Sequence, residues 1–351
     1  MDVCTSKTAV QLLSWYDQHK RILPWRENHD AYRVWVSEIM LQQTRVEAVI
    51  SYYERFLQRF PDVFALAEAP EENVMKAWEG LGYYSRVRNM QKTAKLIAAC
   101  GGNFPSSVTE LKKLPGFGEY TAGAVASIAF NLPVPAVDGN VLRVLSRLNC
   151  DKSDISLPKT KKNAAELISN WIPEGRAGDF NQAIMDLGAT ICLPNSEPKC
   201  TECPFVNICM ARAQNCQMSL PVKAAKPERK REQKTVFVIV CGNQTAVRRR
   251  LSGSVLADMW ELPTVNRWLT ESQQAEQLAI WGIPSSATIE TLPDAKHIFT
   301  HIEWNMHGVL VRTDEVALQS CELHWITPEE RQNDIAIPSA FGAYLRYLPK
   351  A

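Results

Sequence analysis

Through the first 215 or so residues the apolar positions recur at helical spacing: Ile39, Val46, Val49, Tyr53, Phe56 and Phe60 form one such run, which Pro61 stops. Further helices are expected at 72–79, 84–99, 107–113, 120–130, 141–149, 161–172 and 179–190, each bounded by Gly, Pro, Asp or Asn. This predicts an all-α first domain. The pattern then lapses. PVKAAKPERKREQK (221–234), with six basic residues, two acidic ones and two prolines, cannot build a core and reads as an extended, solvated linker. Beyond it the period becomes two: TVFVIVC (235–241), a Gly242-Asn243 turn, QTAVRRR, and HIEWNMHGVLVR (301–312) read as strands. The second domain is therefore expected to be α/β or α+β.

A chain of 351 residues exceeds what one core usually organises, and 46% hydrophobic composition suffices for two. The expected division is 1–220, a linker at 221–234, and 235–351. Net charge is +1, which decides nothing about polyanionic partners. The apolar runs are too short to cross a bilayer, and MDVCTSKTAV lacks a charged-then-apolar signal profile, so no membrane role is expected.

Four cysteines fall within eighteen residues: Cys192, Cys200, Cys203 and Cys209, spaced C-x7-C-x2-C-x5-C. Thiolates so close together can wrap one soft-metal centre. A single CxxC with two outlying cysteines suits an iron-sulfur cluster better than zinc, which usually takes paired CxxC or CxxC/HxxxH elements, although zinc and simple burial of reduced thiols are the alternatives. Cys4, Cys100, Cys150, Cys216, Cys241 and Cys321 are scattered without repeated spacing. A disulfide framework is thus not expected, and a reducing compartment, the cytoplasm, is.

Between two expected helices lies Leu114-Pro115-Gly116-Phe117-Gly118. Gly116 and Gly118 would allow positive φ and close backbone approach, and the amides of the helix opening near Tyr120 would favour a phosphate. This is the pattern of a helix-hairpin-helix. The plainer alternative is an αα-turn whose glycines only cap.

Together these segments resemble the adenine DNA glycosylase (MutY) family of the helix-hairpin-helix glycosylase superfamily. The resemblance is carried by SEIMLQQT (37–44), GLGYYSRVRN (80–89), LPGFGEYTAGA (114–124), VDGNVLRVLSR (137–147) and FNQAIMDLGATIC (180–192), and covers residues 8–209 densely. It implies a multi-domain chain: an all-α glycosylase domain whose loop holds a 4Fe-4S cluster on Cys192, Cys200, Cys203 and Cys209, then an α+β Nudix-like domain that reads oxidised guanine. Two departures stand out. The family's first cysteine gap is six residues and this one is seven, LPNSEPK. MWELP (259–263) and Phe299-Thr300-His301 resemble the family's lesion-reading segments, but Thr300 replaces the usual serine, keeping a hydroxyl and adding a methyl group. No run of clustered carboxylates follows Pro263, so pyrophosphate hydrolysis is not expected.

Cleaving a purine N-glycosidic bond asks for one carboxyl group to protonate the base and another to face the sugar cation. The resemblance assigns these roles to Glu38 and Asp138. Glu38 lies among Trp35, Val36, Ile39, Met40 and Leu41, where desolvation would hold a proton for adenine N7. Asp138 would stay ionised, with Asn140 assisting. Read without the family, Glu38 could be an early-turn glutamate after Ser37, and Asp138 or Asn140 an N-cap. Tyr120 stands where related endonuclease III type enzymes carry a Schiff-base lysine, which implies a monofunctional hydrolase. By the same resemblance Gln42, Gln43 and Tyr83 enter the DNA beside the mispair, and Trp25 and Arg26 border the adenine pocket. Their ordinary alternatives are surface polarity and core packing.

The expected function is hydrolysis of adenine from adenine:8-oxoguanine or adenine:guanine mispairs in double-stranded DNA, by a monomer in the cytoplasm, associated with the nucleoid. An oxidised-pyrimidine glycosylase/lyase is the nearest alternative; Tyr120 and the residues after the linker oppose it. A silent iron-sulfur DNA-binding protein is a third. With only His19 and His29 in the helical domain and no GxSxG, histidine-based nucleophilic catalysis has little support.

Overall fold

The computed structural model describes residues 3–225, 227–251, 253, 255–316 and 322–350. Cys321 and the side chain of Cys4 lie outside what is described, as does Lys226 of the expected linker. The fold divides into two compact units. One comprises Met1–Glu68 and Asn89–Ala225, the other Ala69–Arg88 and Lys226–Ala351. The division at 225/226 falls within the expected linker; the membership of 69–88 in the second unit differs from the expected 1–220 domain. A reason is visible within that unit. Lys76 Nζ donates to the carbonyls of Arg331 and Ile335, and Ile337 N–H donates to Glu79 Oε1 at 2.8 Å.

The first unit is helical: α1 (Val3–His19), α2 (Ala31–Leu41), α3 (Val46–Arg59) and α4 (Val63–Glu68), while α5 (Glu71–Ala77) counts with the second unit. Then come α6 (Ser85–Ala99), α7 (Val108–Leu111), α8 (Glu119–Phe130), α9 (Gly139–Leu148), α10 (Pro158–Ser169), α11 (Ala177–Thr190) and α12 (Met210–Ala213). Leu12 and Tyr16 of α1, Val141 and Val144 of α9, and Phe180 and Ile184 of α11 share one core. Helix α8, EYTAGAVASIAF, is buried on nearly every face because Ala and Gly let neighbours approach closely. A Cβ on Gly123 would stand 2.1 Å from the Pro135 carbonyl oxygen, so this glycine brings the chain leading to Asp138 against α8.

Two local expectations change. The run from Ile39 to Phe60 is two helices, broken at Gln42–Arg45, where Gln43 takes φ +61° and turns the chain. Apolar spacing alone cannot register such a break, because both helices bury the same kind of face. Glu38 is not in an early turn: α2 starts at Ala31, capped by Asp30, whose side chain accepts the Arg33 N–H.

The second unit holds a mixed sheet of β1 (Lys230–Cys241), β2 (Gln244–Arg249), β3 (Trp260–Glu261), β4 (Thr264–Val265), β5 (Thr288–Ile298), β6 (Ile302–Thr313) and β7 (His324–Ile326), ordered β3-β2-β1-β6-β5, with β4 on β1 and β7 on β2. Helices α13 (Glu271–Ile280), α14 (Pro328–Asn333) and α15 (Gly342–Leu345) accompany it. Strand β1 runs parallel to β6 from Lys230↔Ile302 to Cys241↔Thr313. Both faces are covered, Val236, Val238 and Val240 packing on one side and Phe237 and Ile239 on the other. That is why TVFVIVC is apolar throughout rather than alternating.

The expected linker is shorter than 221–234, because residues 230–234 already belong to β1. Lys234 is buried, its Nζ donating to Asn266 Oδ1 at 2.8 Å and lying 4.4 Å from the Trp304 ring centroid. A lysine stem can pack against an aromatic while its ammonium keeps polar partners, which a charge count does not reveal. Strand β5 was not expected; Pro293 sits at its register shift between Leu292 and Ala295 and disguises it.

Candidate active site

Glu38, Tyr120, Asp138 and Asn140 line one cavity of about 430 Å³ in the helical unit, together with Trp25, Arg26, Gln42 and Gln43. Glu38 is buried, 6% exposed, on the inner face of α2. The Tyr120 hydroxyl donates to its Oε2 at 2.6 Å, and Oε1 takes no hydrogen bond among the described residues. Burial pushes the Glu38 pKa up to about 7; the Tyr120 hydrogen bond and the Arg26 charge oppose the rise, while the Asp138 charge adds to it. Tyr120 itself is raised well above its ordinary value, chiefly by burial and then by the two carboxylates. The phenol thus remains a donor at neutral pH.

Asp138 is the N-cap of α9. Its Oδ1 accepts the Val141 N–H at 2.8 Å, and its Oδ2 accepts from Asn140 Nδ2 at 2.7 Å. The cap and cavity positions therefore belong to one residue: the hydrogen bonds that start the helix also aim the carboxylate. Burial raises its pKa, opposed by hydrogen bonds from Val141 and Asn140 and by the Arg143 charge. Asn140 is held in turn, since Arg143 Nη2 donates to its Oδ1 and to the Gly188 carbonyl, both at 2.8 Å. A Cβ on Gly188 would meet the Asn140 Cβ at 2.6 Å, so α11 approaches α9 there only because the residue is glycine.

Sequence reasoning missed the ion network on the cavity wall. Asp186, with 1% of its side chain exposed, pairs with Arg21 at 2.6 Å and with Arg26 at 2.7 Å. Their hydrogen bonds and charges hold the Asp186 carboxyl below the ordinary carboxylate range despite burial. The partners are separated by 165 and 160 positions, so no local signal joins them.

Cys192, Cys200, Cys203 and Cys209 line a second, small cavity with Arg147 and Arg212. Arg147 Nη1 donates to Cys192 Sγ at 3.3 Å, and the Phe205 N–H donates to Cys203 Sγ at 3.4 Å. Burial raises the Cys200 thiol and pushes Cys203 up to about 12, so these two rest protonated unless a metal displaces the protons. Among the described residues no three His, Cys, Asp or Glu side chains are arranged to hold a single ion. Four thiols around one hollow, with cations beside them, are a thiolate donor set of the kind an iron-sulfur cluster takes. The seven-residue first gap is accommodated, with Lys199 N–H donating to the Ile191 carbonyl at 3.0 Å.

The hairpin joins α7 to α8. Gly116 has φ +82°, but Gly118 has φ −91° and ψ −178°, an extended N-cap any residue could adopt, so only the first glycine needs its freedom. Leu114 accepts the Phe117 N–H at 3.1 Å, and Phe117 is buried in a stacked contact with Trp35, 5.8 Å between centroids. The turn therefore leaves the exposed Gly116 and Gly118 at the surface.

In the second unit, Phe299, Thr300 and His301 form the turn between β5 and β6, closed by Phe299 N–H donating to the Ile302 carbonyl at 2.8 Å. Tyr83 belongs to this unit, and its hydroxyl lies 3.2 Å from Thr300 Oγ1. Both line a cavity of about 520 Å³ with Arg88, Leu256, His297 and Pro338. Thus Tyr83 groups with Thr300 within this unit. A larger cavity, about 1220 Å³, lies along β1, β5 and β6. Of its charged lining, Lys230 and Lys234 pair with Glu232, Arg250 with Glu261 and Lys296 with Glu303.

Residues 36–174 match the profile of HhH-GPD superfamily base excision DNA repair proteins, and residues 235–347 match the NUDIX domain. The chain is 36% identical to the adenine DNA glycosylase of Mus musculus over 379 residues, spanning 91% of this chain and 73% of that protein. It is also 36% identical to the adenine DNA glycosylase of Arabidopsis thaliana over 365 residues, which spans 88% of this chain but only 57% of the relative's length. Among solved structures it is similar to a thermostable thymine-DNA glycosylase, with a TM-score of 0.55 and 26% identity, covering 61% of this chain and 100% of that one.

Proposed function

The chain belongs to the adenine DNA glycosylase family, and we propose that it hydrolyses the N-glycosidic bond of adenine mispaired with 8-oxoguanine, or less favourably guanine, in duplex DNA. The carrying observation is the pairing, in one cavity, of a glutamic acid poised near neutrality with an acceptor-only aspartate. An extruded adenine receives the Glu38 proton at N7, which turns the base into a neutral leaving group. Tyr120 steadies Glu38 and orients it. As the bond to the sugar lengthens, positive charge gathers on the deoxyribose, and the Asp138 carboxylate, held by Val141 and Asn140, faces it. Water then adds to the sugar. With a phenol in place of an amine at position 120, no Schiff base forms and the strand stays whole.

Tyr83 and Thr300 read the opposite base, their hydroxyl pair supplying both a donor and an acceptor. Cys192, Cys200, Cys203 and Cys209 hold a 4Fe-4S cluster, whose thiolate bonds fix the loop and take no part in base release. The enzyme works as a monomer on double-stranded DNA in the cytoplasm.

Duplexes carrying adenine opposite 8-oxoguanine, guanine or thymine test this reading. Breakage should appear only after alkali, fastest opposite 8-oxoguanine and absent opposite thymine. Strand nicking without alkali, or equal attack on adenine:thymine, overturns it. Anaerobically purified protein should be brown; a colourless preparation with stoichiometric zinc refutes the cluster.

A further inference from the structure

Cys150 and Cys216 lie 66 positions apart, yet their sulfurs are 3.3 Å from one another, inside van der Waals contact. Neither was expected to pair from spacing. Cys150 follows the C-cap of α9 with φ +49°, its N–H bonded to the Arg147 carbonyl. Cys216 lies just beyond α12, its N–H donating to the Ala211 carbonyl at 2.8 Å. Each sulfur is thus delivered by backbone fixed at a helix end. The Cys150 thiol donates to Gln214 Oε1 at 3.3 Å, which turns its lone pairs toward Cys216. Both residues are half-buried, so a small oxidant can reach them.

We propose that Cys150 and Cys216 are a modification site, converted by hydroperoxides to a reversible disulfide. One thiolate attacks the peroxide oxygen; the O–O bond breaks, an alcohol or water leaves, and a sulfenic acid forms. The second sulfur then attacks the first, the S–O bond breaks, and water carries away the oxygen and the remaining proton. Two thiols lose two electrons and the peroxide gains them. The closed loop, 150 to 216, contains Cys192, Cys200, Cys203 and Cys209 and ties the end of α9 to the segment after Cys209. Oxidation therefore fastens the mouth of this loop. The inference rests on the geometry of the pair and stands whether or not the catalytic reading does.

The test treats the full-length protein with graded hydrogen peroxide, blocks remaining thiols with an alkylating agent, and maps unreduced peptides by mass spectrometry. A Cys150–Cys216 crosslink should dominate at low peroxide and disappear with dithiothreitol, while Cys100 and Cys241 stay alkylated. Cys150→Ser and Cys216→Ser, compared with the parent by circular dichroism melting without peroxide, should fold alike and lose only that crosslink. The proposal fails if both cysteines are alkylated as fully as Cys100, if either joins a different cysteine, or if they accumulate as sulfinic acids without crosslinking.

Discussion

The cavity at Glu38 and the cavity at Thr300 are similar in size, about 430 and 520 Å³, but opposite in material. The first is walled by groups whose proton affinities are displaced from their ordinary values: Glu38, Tyr120 and Asp138, with Asp186 behind Arg26. The second is walled by Tyr83, Leu256, Phe299 and Pro338, and burial holds the pKa of its His297 below the ordinary value, favouring the uncharged ring. Moving protons requires groups whose proton affinities the surroundings displace, whereas recognising a flat base requires apolar walls and a few hydroxyls. The reaction cavity should thus govern rate and carry a stability cost, and the reading cavity should govern discrimination at little cost.

Glu38→Gln probes the first half of this contrast most severely. Base release in single turnover should fall by roughly 10² to 10⁴, while DNA binding survives. In the parent, the rate should decline as pH rises through about 7, where Glu38 gives up its proton. The same group works against folding: between its ordinary 4.5 and about 7 the folded chain keeps a proton that the unfolded chain has lost, so stability falls as pH rises across that window. The full loss is about 3 kcal/mol. Urea unfolding at pH 5 and pH 8 should show this decrement in the parent and little of it in Glu38→Gln; a variant no flatter than the parent would contradict the burial argument.

Asp186→Asn acts on stability instead, costing about 3–5 kcal/mol, because it leaves Arg21 and Arg26 facing a neutral amide. A melting curve unchanged from the parent would show that the pair is dispensable. Gly188→Ala, forcing a methyl group against Asn140, should cost about 1–3 kcal/mol and slow base release without altering which mispair is preferred. The mildest change is Thr300→Val, which keeps the shape and removes the hydroxyl facing Tyr83. It should reduce the preference for 8-oxoguanine over guanine by about tenfold, with adenine:guanine turnover unchanged; a loss on both substrates alike would make Thr300 structural.

What the sequence disclosed was local. Glu38 among apolar neighbours, the LPGFG turn, the four cysteines and the Gly242-Asn243 hairpin each follow from residues within a few positions. What it concealed depends on pairs far apart. Asp186 meets Arg21 across 165 positions, and Lys234 counts as a linker charge until β6 brings Trp304 beneath it. Gln43 hides a turn because its φ of +61° leaves no trace in hydrophobic spacing, and the segment 69–88 joins the second unit through Lys76 and Glu79, whose acceptor and donor lie more than 250 positions on.

Arg147 has a practical implication for anyone dividing this chain. Only 2% exposed, its guanidinium donates to the carbonyls of Leu193 and Leu220 as well as to Cys192. The segment beyond the last helix is stitched back by two further bonds, the Val222 carbonyl accepting from Ile155 N–H and the Ala224 N–H donating to Asp154. A fragment trimmed at α12 would strand an interior cation with its acceptor cut away. A helical piece that keeps these contacts reaches to about residue 225, past the point where helices alone would suggest the scissors.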